Sequence, residues 1–371
     1  MNKYHSTRIL FLNLLTVLLL ALFIELALGY GLRHPGLIPD FLVTYYQNFY
    51  KSQDRSILQV SRCAEYDPEF FYRFKSGKCS FENREFNVVN EFNSAGLRDD
   101  EQSLNNPSIV IFGDSFTMGW GVPQSKPYPQ VLESLCREKI LNAGVSSFGT
   151  AREMKLLNKL SFKSPKTIII QYHTNDYEEN LTYIKNNYYL PINSSKTYDS
   201  IKENIDDRSR YYPFKYLIGI SKSIGQAMLT GKKEQPSDTL EAEAFLRVVL
   251  HSGLNKIASR VFVFKIDNGV LNNGFVDAVD YCLKDPLFAN LDITTVRINN
   301  VFDKEDYFIL DEHLNARGHE KLAARLNDYL KVVGEPMVAD QRPNGKAGKA
   351  TATVDKDQKL MVKEEKTLPD R

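Results

Sequence analysis

The sequence predicts an α/β protein: a flavodoxin-like three-layer α/β/α sandwich with a five-stranded parallel sheet, preceded by one transmembrane helix. Three observations predict it. From Pro107 onward, short apolar runs rich in β-branched residues alternate with amphipathic helical patterns. Residues Ile9 to Leu28 are almost continuously apolar, long enough to span a bilayer core. The stretch Ile109-Val-Ile-Phe-Gly-Asp-Ser115 reads as a buried strand that turns sharply at Gly113. The 371 residues, 43% of them hydrophobic, suffice for one large domain with appendages. A net charge of +1 supplies no basic surface for nucleic acid. No internal repeat and no metal-type spacing of Cys and His is present, so no cofactor is expected.

The elements follow in chain order. Lys3 and Arg8 precede the apolar run, which keeps residues 1–8 cytoplasmic and makes 9–28 a signal anchor with the rest exported to the periplasm or cell surface. Glu25 is tolerated near the outer end. Cleavage as a signal peptide at the small residues Ala27 and Gly29, giving a secreted protein, is the alternative. Residues 29–105 form an extracytoplasmic spacer of poor periodicity, with a short strand at Phe86–Val89, packed on the main domain. Export favours a disulfide between Cys63 and Cys79, while Cys136 and Cys282 read as inert thiols on helices.

The main domain covers residues 106–333. Its strands are expected at Ser108–Phe112, Ile140–Leu141, Thr167–Tyr172, Val261–Ile266 and Ile293–Ile298. Helices are expected at Tyr128–Lys139, Ala151–Leu160, Thr239–Arg260, Phe275–Leu283 and Ala316–Lys331. Residues 177–236, dense in Tyr, Asn, Lys and Ser, read as a long loop-like insertion: a lid or a carbohydrate-binding loop, or else partly disordered surface padding. The polar tail 334–371 reads as disordered.

Several stretches reach the carboxyl edge of this sheet, where open α/β folds bind ligands. Ser115 follows the first strand, Gly144 the second and Asn175 the third, and Leu310-Asp-Glu-His313 precedes the last helix. A serine hydroxyl needs a base to become a nucleophile. His313 can serve, and Asp311 can hold its tautomer. The N–H groups of Ser115 and Gly144 and the Asn175 amide suit an oxyanion. The plain alternative makes Ser115 a helix cap and Asn175 a turn residue. Asp114 reads as a turn or capping residue and Asp176 as a stabiliser of the third loop. His251 reads as a packing residue, and His319 as a surface residue and reserve base.

Gly113-Asp-Ser-Phe-Thr117, Gly144 in Asn-Ala-Gly-Val, Asn175-Asp176 and Asp311-Glu-His313 resemble, in order, the four blocks of the SGNH (GDSL-type) hydrolase superfamily. The likeness covers Pro107 to Lys331, and Asn93-Ser-Ala-Gly-Leu-Arg98 resembles the lead-in of its membrane-anchored members. It implies Ser115, Asp311 and His313 as catalytic residues and Gly144 and Asn175 as oxyanion donors. Two departures stand out: Asp311 lies two residues before His313 rather than three, and His173 stands where a glycine is usual, either narrowing the pocket or adding a polar contact to the acyl group. The expected activity is a serine esterase removing a small acyl group, such as acetyl, from a surface glycan. The alternatives are an O-acyltransferase acting on such a glycan and an inactive glycan-binding or assembly protein.

Overall fold

The computed structural model describes residues 3–54, 57–160, 165–229, 235–267 and 272–334, so the predicted disordered tail lies almost wholly outside the described residues. Helix α1 (Lys3–Arg33) holds the apolar run. Over Thr7–Arg33 it is long and apolar enough to cross a membrane, a property that anchors and signal sequences share. Helix α2 (Asp40–Phe49) follows after a short 3-10 turn.

The predicted spacer is more structured than its single expected strand. It contains two antiparallel pairs: β1 (Ala64–Asp67) with β2 (Phe71–Phe74), and β3 (Gly77–Glu82) with β4 (Asn87–Phe92). Their inward aromatic residues alternate with exposed ones, but each strand is too short for a clear period-two signal. Phe74 stacks on Phe92 at 4.7 Å, and Phe81 meets Trp120 edge-on at 4.8 Å. The Cys63–Cys79 disulfide is formed, with its Cα atoms 5.6 Å apart, and ties the two pairs together. Cys136 and Cys282 are free.

The sheet domain follows the expected alternation. Strand β5 (Ile109–Gly113) leads to α3 (Ser115–Met118) and α4 (Tyr128–Cys136). Strand β6 (Ile140–Gly144) leads to α5 (Thr150–Lys159), and β7 (Thr167–Tyr172) leads to α6 (Asp176–Lys185). Helices α7 (Ser195–Ser209), α8 (Lys215–Leu229) and α9 (Asp238–Ser252) precede β8 (Arg260–Lys265). Helix α10 (Gly274–Cys282), β9 (Ile293–Thr295) and α11 (Ala316–Gly334) complete the series. The five strands are all parallel, in the order β6-β5-β7-β8-β9, which is the flavodoxin-like order 2-1-3-4-5. Every residue of β5, β6 and β7 is buried, as a sheet covered on both faces requires.

The expected loop over 177–236 is instead largely helical: α6, α7 and α8 cover most of its described residues, with non-helical links at 186–194 and 210–214. Helix α7 is polar on nearly every face and lacks the apolar stripe by which a helix is recognised; only Tyr198 is buried along it. Helix α8 contains Gly219 and Gly225. At Gly219 a Cβ would collide with the Phe49 ring, so the glycine lets α8 lie close against α2. Glu25 finds its partners here. Its buried carboxylate accepts the Tyr211 hydroxyl (3.0 Å) and the N–H groups of Tyr216 (3.3 Å) and Leu217 (2.8 Å) at the start of α8. A carboxylate at a helix N-terminus is favourably placed against free N–H groups and the dipole.

Candidate active site

The turn after β5 is built for close approach. A Cβ at Gly113 would overlap Thr117 Oγ1 and Gln171 Oε1, so no other residue fits. The Asp114 N–H donates to Gln171 Oε1 (3.1 Å), and its carboxylate caps α3 by accepting the Phe116 N–H (2.9 Å). Capping is thus the work of Asp114, which leaves the Ser115 side chain unengaged by the helix. Ser115 is 8% exposed, and its Oγ lies 2.7 Å from His313 Nε2. The Ser115 N–H has no hydrogen-bond partner among the described residues.

His313 Nδ1 makes a short hydrogen bond to Asp311 Oδ1. With Nδ1–H donating there, Nε2 is left as an acceptor toward Ser115. The imidazole is held between rings: Phe116 at 4.8 Å and Trp120, nearly parallel, at 5.2 Å. Trp120 lies in a loop with Gly119 at φ 86° and Gly121 at φ 75°. That loop is fixed by Arg98, whose guanidinium is fully buried and donates to the carbonyls of Met118 (3.3 Å), Gly119 and Val122 (2.6 Å) and to Gln124 Oε1 (3.0 Å). Burial lowers its pKa to about 9. Asn93 folds the preceding turn, accepting the N–H groups of Ala95 and Leu97 at 3.1 Å each. The Asn93–Arg98 stretch therefore shapes the wall behind the histidine.

Asp311 is 1% exposed and has partners that sequence reasoning missed. Its Oδ2 accepts the Tyr50 hydroxyl at 2.7 Å. Its N–H donates to Glu85, which also accepts the N–H groups of Ile309 and Leu310. Tyr50 and Glu85 lie in the supposed spacer, hundreds of residues away in sequence, in a region with no period or motif to mark them.

The third block supplies Asn175 and His173. The Asn175 N–H donates to His173 Nδ1 (3.1 Å), and the Asn175 side chain is exposed. The His173 ring stacks on Phe116 at 5.8 Å, and its Nε2 lies 3.9 Å from Asp267 Oδ1. Asp176 begins α6, fully buried, and accepts the Thr150 hydroxyl (2.9 Å). Burial beside like charges raises the carboxyls of Asp176 and Glu153 well above the usual range. In the second block the Gly144 N–H donates to Asn142 Oδ1 (3.1 Å). A Cβ at Gly144 would strike the backbone of Thr117 and Met118, so this glycine lets α3 pack on β6.

One other histidine differs from expectation. His319 is buried rather than a surface residue: its Nδ1 accepts the Tyr128 N–H (3.1 Å), and its ring stacks beside Tyr128 at 6.0 Å. The cause is the first turn of α11 packing directly on α4. His251 packs as expected, its ring stacked on Tyr188 at 3.9 Å, although it is exposed.

No family model matches the chain, and no curated protein matches it in sequence. Solved structures to which it is similar include a carbohydrate esterase family 2 enzyme with a carbohydrate-binding domain from Corynascus thermopiles (Myceliophthora fergusii), with 14% identity, a TM-score of 0.37 and coverage of 61% of this chain and 66% of that one. A putative lipolytic protein of the G-D-S-L family from Desulfitobacterium hafniense shares 14% identity, with a TM-score of 0.32 and coverage of 59% and 97%. An acetyl xylan esterase from the rumen bacterium Butyrivibrio proteoclasticus shares 11% identity, with a TM-score of 0.34 and coverage of 61% and 63%. The chain spans just under two thirds of the length of the two carbohydrate esterases.

Proposed function

We propose that the chain is an exported serine esterase, held at the membrane by α1, that releases a small acyl group such as acetyl from an ester on a cell-surface glycan. The observation that carries this reading is the continuous hydrogen-bonded series from Ser115 Oγ through His313 to Asp311. In the first step His313 Nε2 takes the Ser115 proton as Oγ bonds to the ester carbonyl carbon. The resulting oxyanion takes hydrogen bonds from the Ser115 N–H and the Asn175 amide; the Gly144 N–H joins them only if it leaves Asn142. The imidazolium, stabilised by Asp311, then gives its proton to the departing sugar oxygen as the carbonyl–oxygen bond breaks. Water, deprotonated by His313, attacks the acyl-enzyme, and collapse returns the proton to Ser115 and frees the acid.

Acetate release from O-acetylated polysaccharide by the full chain in detergent tests the reading. Wild type is expected to exceed Ser115→Ala by at least about 10³-fold, and only wild type should react with a fluorophosphonate. Equal release by both proteins would refute the assignment. Passage of the acetyl group to an added glycan in preference to water would recast the enzyme as an acyltransferase with the same nucleophile.

A further inference from the structure

The triad aspartate proposed above, Asp311, sits in a turn that depends on the N-terminal region. Asp311 and His313 are separated by Glu312 alone, and Glu312 has φ +64°, a conformation that non-glycine residues rarely adopt. The turn closes on itself through Phe308 N–H to His313 O (2.8 Å) and Glu312 N–H to Phe308 O (3.1 Å). Such a turn needs outside support, and it comes from two places. The hairpin tip between β3 and β4 presents Glu85, whose carboxylate accepts three consecutive N–H groups, those of Ile309 (2.7 Å), Leu310 (2.8 Å) and Asp311 (2.9 Å). The end of α2 supplies the rest. Gln47 Nε2 donates to Ile309 O (2.8 Å), the Tyr50 hydroxyl donates to Asp311 Oδ2 (2.7 Å), and Lys51 pairs with Glu312.

We propose that Tyr50 and Glu85 are positioning residues for the triad aspartate: Glu85 fixes the backbone of the Asp311 turn, and Tyr50 occupies the carboxylate oxygen that His313 does not use. The assignment rests on the esterase reading above. Its chemistry is specific. A carboxylate with both oxygens engaged has one orientation, which keeps Oδ1 in line with the imidazole. The Tyr50 hydroxyl also draws off part of the negative charge that would otherwise act on His313. The N-terminal region is therefore part of the catalytic apparatus. Tyr50 follows directly on α2, which follows α1, so the chain leaving the membrane helix reaches the triad within one helix.

Tyr50→Phe in the full chain tests this, because it removes one oxygen and keeps the buried ring. The expected result is a fall in kcat of about tenfold, the worth of one hydrogen bond to a charged group, with KM within about twofold of wild type. The acidic limb of the kcat/KM profile should also move to higher pH, since the imidazolium now faces a less neutralised carboxylate. A packing role would move neither. Glu85→Gln, which sets an amide NH2 against backbone N–H groups, should lower kcat further and reduce the labelling rate of Ser115 by a fluorophosphonate in the same proportion. If Tyr50→Phe keeps wild-type kcat and pH profile while Ser115→Ala is inactive, the positioning role is overturned and the esterase reading survives. If wild type itself shows no Ser115-dependent turnover or labelling, the esterase reading fails and takes this assignment with it.

Discussion

The sheet domain and the region before it are built by different means. In the sheet domain, five parallel strands and their helices fix the backbone, and Ser115 is placed simply because β5 ends where it does. Before it, two short hairpins and one helix have no common sheet. They act through single side chains: Arg98 on the Trp120 loop, Glu85 on the Asp311 turn, Tyr50 on the Asp311 carboxylate. A two-stranded pair is marginal alone, so this region owes its order to the disulfide and to an aromatic core shared with the sheet domain. Ser115 is thus positioned by secondary structure and Asp311 by tertiary contacts.

Loss of Arg98 should break that division most severely. Its guanidinium is wholly buried with no carboxylate bonded to it among the described residues, and four oxygens accept from it. Arg98→Met keeps the volume but strands those acceptors, at a cost of roughly 3–5 kcal/mol. Urea unfolding should register that loss, and activity should fall in the surviving folded protein because Trp120 no longer backs His313. A cost below about 1 kcal/mol would mean that packing alone holds the loop.

The same division decides what could be read in advance. The strands of the sheet domain were legible because buried parallel strands are nearly pure apolar runs, as at Thr167–Tyr172. Ser115, His313 and Asp311 were legible because each stands at the end of such an element or in a recognisable short block. Tyr50 and Glu85 were not, since nothing local distinguishes a tyrosine that packs from one whose hydroxyl meets a carboxylate 261 residues away. His319 was misjudged because its position in α11 gives no hint of which face α4 covers. Helix α7 was missed for want of an apolar stripe, and α8 because the Tyr, Asn, Lys and Ser content of the whole segment outweighed its own apolar positions.

Reduction should separate the two regions. The Cys63–Cys79 bridge joins residues 16 apart, and opening it should cost about 3 kcal/mol by the chain-entropy estimate. The loss should fall on the hairpins first. Hydrogen exchange after mild reduction should show β1–β4 amides losing protection while those of β5 and β7 keep theirs, with turnover falling alongside the hairpins. Uniform loss of protection would show that the two regions unfold as one.

Acid should do the opposite and strike the sheet domain, through His319. This histidine is buried with Nδ1 accepting the Tyr128 N–H, so a proton there would meet a donor. Burial, with the positive charges of Arg98 and His313 nearby, lowers its pKa to about 3. The unfolded chain binds that proton at about 6.5. Between those values the unfolded state holds a proton that the folded state refuses, so stability falls as pH drops from about 6.5 toward 3. At pH 5 the folded form is still neutral, and the difference amounts to about 2 kcal/mol relative to pH above 7. His319→Gln, which can still accept from Tyr128, should remove this contribution. The buried carboxyls of Glu153 and Asp176 have raised pKa values and act in the contrary sense, favouring the folded state as pH falls. The informative quantity is therefore the wild-type minus variant difference in unfolding free energy across pH 7 to 5. A difference that does not change over that interval would mean that the folded protein accepts the proton, and that the α4–α11 contact yields as readily as the hairpins do.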